Sequence, residues 1–226
     1  MARTTGQKAY YETSRFTGPI FRYADPKNDP RFGAITMRKA FVGIITGAIL
    51  LTGCSTFKPH QVSIEPLHPT VTTQASLPSD LQIEVHSKDM RNSDTIGYRI
   101  SRLSDRAPVN LPTPATDALQ QGAKVAVVRL GAAPALSSDT RLTVQLQNLE
   151  YSATQKALQA VKLNATINVI AEKHGKFLSG NYSTEKEYQY ATTPSLADNQ
   201  KMVNEILLMT VNRAFNDTKL INFLAD

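Results

Sequence analysis

The sequence has one cysteine, no tryptophan and four histidines in 226 residues, and each scarcity removes a class of function. With Cys54 as the sole thiol, no intrachain disulfide can form, and no second cysteine is present to act as nucleophile or metal ligand. The motifs G-x-S-x-G, H-E-x-x-H and C-x-x-C are absent, as is a glycine-rich phosphate loop. Four scattered histidines without spaced partners give no metal-ligand pattern, so no metal and no cofactor is expected. Long apolar runs are also missing after Cys54, which argues against a second membrane span.

Charge is scarce where it first looks plentiful. The whole chain carries +6, but residues 1–53 hold eight Lys and Arg against three Asp and Glu. That leaves seventeen against sixteen in residues 54–226, too even for a basic face that tracks a phosphate backbone, so no nucleic-acid partner is expected.

What is present is an export signal. Arg38 and Lys39 form a positive start, and Ala40 to Leu51 is an uncharged apolar run of twelve residues. A bilayer span needs about 20 apolar residues, whereas the core of an export signal needs roughly 7–15. The run ends in Leu51-Thr52-Gly53-Cys54, which resembles the lipobox of bacterial lipoprotein signal peptides. That resemblance implies acylation at Cys54, with palmitate-type chains as the only bound group, and Cys54 as the first mature residue. Residues 37–53 are then the signal peptide. Residues 1–36 are polar, interrupted by Pro19, Pro26 and Pro30, and show no period, so Met37 is the expected translation start and 1–36 a disordered upstream leader.

From 54 to 78 the chain is rich in Ser, Thr, Pro and Gln and is expected to be a flexible tether with a reach of about 25–30 Å. His60 and His68 fall inside it as solvated side chains. A single domain is expected over 79–226, about the usual size of one core.

Its elements follow from periodicity. Leu81-Gln-Ile-Glu-Val-His86 alternates as a half-buried strand, and Ser87 to Arg99 is charged and broken by Gly97, so it is expected as a loop. Asp89 and Arg91 in that loop, with Gly97, are the candidate functional residues. An acid–base cluster with His86 is one reading, and a loop-fixing ion pair between Asp89 and an arginine is the plainer one. Ala115 to Leu130 fits either a buried strand at Val125 to Val128 or a helix, and the stripe Leu119, Ala123, Val127, Leu130 favours the helix, capped by Thr113 or Thr116 and closed by Gly131.

Arg141 to Tyr151 alternates but shifts phase before Leu149, which suggests a bulge. Val161 to Ala171 alternates without a break, and His174-Gly175 signals a tight turn into a third strand. There Tyr182, Tyr188 and Tyr190 share one parity, as sheet-face residues or as a sugar-stacking face. Pro194-Ser195 opens a long helix whose apolar stripe runs from Leu196 to Ala214, and a short helix ends the chain. The expected fold is α+β: strand, helix, three-stranded antiparallel meander, helix, with helices packed on the sheet.

The lipobox, the Asp89-x-Arg91 loop, Ile96-Gly97-Tyr98-Arg99 and the strand from Leu142 to Tyr151 together resemble the YajG family of small bacterial lipoproteins. The resemblance covers Met37 to the C-terminus and implies a lipid-anchored protein of the Gram-negative outer membrane, on its periplasmic face. Ser55, in place of a retaining Asp after the acylated cysteine, implies the same sorting. The resemblance implies no chemistry. The expected function is therefore a non-enzymatic binding or assembly module for an envelope protein or cell-wall polymer. An envelope hydrolase built on His86 and Asp89 is the alternative, since triads are recognised by geometry and not by order.

Overall fold

A computed structural model describes residues 57–155 and 157–226. The architecture is α+β: one curled eight-stranded sheet with three helices among the described residues. The elements are β1 (His60–Gln61), β2 (Gln82–Asp89), β3 (Thr95–Ile100), β4 (Arg106–Asn110), α1 (Thr116–Arg129), β5 (Ala133–Ala135), β6 (Thr140–Gln155), β7 (Gln159–Lys173), β8 (Lys176–Tyr190), α2 (Leu196–Phe215) and α3 (Thr218–Ala225).

The frame of the sheet is β6, β7 and β8, joined by short turns and paired antiparallel. Strict alternation in β7 buries Val161, Leu163, Ala165, Ile167, Val169 and Ala171 on one face. His174 and Gly175 form the two-residue turn into β8, both at positive φ as a primed hairpin turn requires. The phase shift in β6 is a bulge between Leu146 and Asn148, so Leu142, Val144, Leu146, Leu149 and Tyr151 all face the core.

The other edge of β6 is shared. Its first half pairs parallel with β2 and its second half pairs parallel with β3. Beyond these, β4 lies antiparallel to β3, and β1 and β5 add parallel to β4 and β2. The sheet is therefore mixed and has more strands than the four expected. Of the segment expected as a loop, Ser87 to Arg99, only 90–94 is a connection; the rest is the end of β2 and most of β3.

Helix α1 covers β2, and α2 lies over β7 and β8. The α1 reading between Ala115 and Leu130 holds, but its N-cap is Ala115, and neither Thr113 nor Thr116 caps it. Gly131 follows its end at φ 106°. Ser195 caps α2 through a reciprocal capping box with Asp198, and Asp217 caps α3. No helix among the described residues is long and apolar enough to cross a membrane.

The expected tether is corrected by the packing. From Phe57 to Pro78 the chain is an extended strap laid along α2. Val62, Leu67 and Leu77 are buried in the common core, and β1 is part of the sheet. Its prolines fit an extended path because they exclude helix and need no ladder hydrogen bond there.

Candidate functional site

The Asp89–Arg91 pair closes the end of β2 against the start of α1. Arg91 donates from Nε to Oδ1 at 3.0 Å and from Nη2 to Oδ2 at 2.7 Å, a two-pronged contact whose side chains are each only 9% exposed. The Ala115 amide donates to Asp89 Oδ2 at 3.0 Å, which sets a carboxylate at the positive end of the helix. Burial pushes the Asp89 carboxyl up, but the hydrogen bonds from Arg91 and Ala115 outweigh it and hold the group below its ordinary range. Nearby, Ser87 Oγ donates to Thr116 O and Gln120 Nε2 donates to Val85 O, both at 2.7 Å. The arrangement is a bolt between strand and helix.

His86 does not join it. Its ring lies on the other side of β2, with Nε2 2.7 Å from Glu84 Oε1, and neither cleft beside Arg91 includes it. The acid–base cluster of His86, Asp89 and Arg91 is thus not assembled, whereas the loop-fixing ion pair is. Gly97 is also elsewhere. It sits in the irregularity of β3 at φ 156°, where a Cβ would stand 1.8 Å from Tyr151 O. Its role is to let β3 approach β6.

The tyrosines of β8 are covered by helices. Tyr182 donates to Asp217 Oδ2 at 2.7 Å, and Tyr188 donates to Glu205 Oε2 at 3.1 Å. Burial, followed by the neighbouring carboxylates, raises both phenols. Tyr182 is buried in the core, and Tyr188 and Tyr190 are half-buried and pack against it, as sheet-face residues do.

The polar system that sequence reasoning missed joins the strap to α2. Gln200 Oε1 accepts from Ser63 N, Asn204 Oδ1 from Glu65 N, Asn212 Oδ1 from Thr70 N, and Asn216 Oδ1 from Thr72 N, all at 2.7–2.8 Å. Asn216 Nδ2 also donates to Thr70 O at 2.9 Å, and Asn204 Nδ2 to Ser63 O at 3.1 Å. Amides at multiples of four line one face of a helix, and each can give and take a bond with an extended backbone. Gly122 of α1 makes room on the other side, where an added Cβ would stand 2.9 Å from Leu67 Cβ. A cleft of about 550 Å³ lies between the strap at Glu65 to His68 and α2.

At its start the strap is pinned by Phe57, whose ring lies 4.0 Å beneath the Arg99 guanidinium. His60, expected to be solvated, is half-buried, with Nδ1 2.7 Å from Asn199 Nδ2. Burial and then the Arg99 charge lower its pKa. The Tyr151 hydroxyl donates to Asn199 Oδ1 at 3.2 Å and completes this buried group. Cys54, the other lipobox residues Leu51, Thr52 and Gly53, and the sorting position Ser55 lie outside the described residues.

Solved structures similar to the chain include a protein from Xanthomonas campestris, 14% identical over 74% of this chain and 93% of that one, at TM-score 0.42. A minor lipoprotein from Acinetobacter baumannii is 12% identical over 66% and 92%, at 0.38, and a lipoprotein from Neisseria meningitidis 11% over 60% and 99%, at 0.31. No curated protein matches. A family model described as an uncharacterized lipoprotein matches residues 69–225, from within the strap to the last helix, and the chain belongs to that YajG-like lipoprotein family.

Proposed function

We propose that the protein is exported, acylated at Cys54 and sorted through Ser55 to the periplasmic face of the outer membrane, where its domain acts as a non-enzymatic binding or assembly module. The observation that supports this most is how the best candidate chemistry is used. Asp89 and Arg91 satisfy each other, Asp89 also accepts from the Ala115 amide at the N-cap of α1, and His86 is turned away from them. A carboxylate and a guanidinium held that closely stabilise the fold and leave neither group free for proton transfer. The apolar run, the small residues before Cys54 and the family membership support the anchor. The partner is an envelope protein or a cell-wall polymer.

Crosslinking in intact cells, followed by mass spectrometry of what the protein carries, tests the binding role. A reproducible envelope partner is the expected result. Repeated recovery of the protein alone, together with turnover of a glycan or cell-wall substrate by the purified protein, would replace this reading with an enzymatic one.

A further inference from the structure

Resting on the acylated Cys54 proposed above, we infer that one end of the sheet is a second membrane contact and lies on the lipid surface. The chain outside the fold decides which end. Phe57 is pinned under Arg99, so only three peptide steps separate Cys54 from a fixed residue, a reach of at most about 11 Å. The strap cannot lift the domain away. Wherever Phe57 emerges must face the headgroups.

The registers place that point. β1 runs parallel to β4 with His60 opposite Val109, so Phe57 lies toward Arg106, at the β3–β4 turn. β3 runs parallel to β6, which brings the β6–β7 turn to the same end. Gln155 Nε2 donates to Arg102 O at 3.0 Å, and Arg102 Nη2 donates to Ala191 O at 2.9 Å, tying the two turns to the exit of β8. This end presents Leu103, 86% exposed at the tip of the β3–β4 turn, and Leu158, 48% exposed. Lys58, Arg102 and Arg106 are exposed around them, with Arg99 half-buried and Asp105 and the half-buried Asp198 as opposing charges. Apolar tips ringed by cations suit the boundary between acyl chains and anionic headgroups. The far end, with Leu136 98% exposed and Phe177 67% exposed, is as apolar but lies at the other end of the sheet, where β6 starts and β8 begins. The occupant of the near end is thus the phospholipid surface, and the far end is free for a partner.

Acylation consumes the only native thiol, so a cysteine placed elsewhere is the sole labelling site in the full acylated protein. Leu103→Cys, Leu158→Cys and Leu136→Cys, each carrying an environment-sensitive fluorophore, are reconstituted into vesicles of phosphatidylethanolamine and phosphatidylglycerol containing brominated lipid. Probes at 103 and 158 should shift to the blue and be quenched several-fold more than the probe at 136. Equal quenching at 136, or no quenching at 103 and 158 in protein that floats with the vesicles, overturns the orientation while leaving the anchor standing. Acylated protein that fails to float removes the anchor itself, and the orientation with it.

Discussion

Replacing Asn204 by alanine separates a strap from a tether by the sign of its effect. Asn204 lies in the middle of α2, where alanine is the better helix former by up to about 0.7 kcal/mol. If residues 57–78 were a free tether, Asn204→Ala would leave stability unchanged or raise it. In the structure, Asn204 Oδ1 accepts from Glu65 N at 2.7 Å, and Nδ2 donates to Ser63 O at 3.1 Å. Each such bond contributes about 0.5–1.5 kcal/mol net, and because both are exposed, water can take over part of what is lost. Against the helix gain, the net loss comes to about 0.3–2 kcal/mol. Equilibrium urea unfolding followed by circular dichroism reads this as a lower midpoint at unchanged slope. Lys201→Ala, exposed on the same helix, should stay within about 0.5 kcal/mol of the parent. A variant at 204 as stable as the parent, or more so, would mean that the amide ladder does not hold the strap.

Three further outcomes follow from the same packing. Gly97→Ala drives a methyl into Tyr151 O and should cost more than about 3 kcal/mol or prevent folding, read by thermal unfolding and by soluble yield; a mild loss would mean that β3 does not approach β6 at this point. Asp89 is held below its ordinary pKa in the fold, so its contribution is present above the unfolded value, about 3.9, and is lost as pH falls through the folded one; Asp89→Asn should flatten the acid limb of a stability-against-pH profile below about pH 4 and lower stability at pH 7. A chain beginning at residue 57 should unfold cooperatively, whereas one beginning at residue 79 loses Val62, Leu67 and Leu77 from the core and should unfold at clearly lower urea; equal midpoints would mean that residues 57–78 are a tether and not part of the core.

The elements legible in the sequence are those whose signal is local. Unbroken alternation gave β7, the slip before Leu149 gave the β6 bulge, His174-Gly175 gave the hairpin, and Pro194-Ser195 marked the start of α2. β3 and β4 were hidden because Gly97 interrupts one and Pro108 sits in the other, and both read as turn chemistry when the pairing partner is unknown. Parallel pairing of β2 and β3 along one edge of β6 depends on contacts distant in sequence and leaves no periodic trace. The strap is not legible because proline-rich, polar composition describes a tether and an extended packed segment equally well. Its trace was in α2. Gln200, Asn204, Asn212 and Asn216 put amides, which bond to backbone, where a solvent-facing stripe would carry charge. Asp89 and Arg91 were found together because they are two residues apart, while the separation of His86 from them follows from strand parity, with Asp89 and His86 on opposite faces of β2.

The lipid anchor is the claim on which localisation and orientation both depend, and the intact mass of the protein purified from envelope membranes tests it most directly. The expected species is a chain that begins at Cys54, lacks residues 1–53 and carries the added mass of acyl chains on its N-terminal residue. A chain that retains residues 37–53, or one that begins at Cys54 with no added lipid, would contradict the claim.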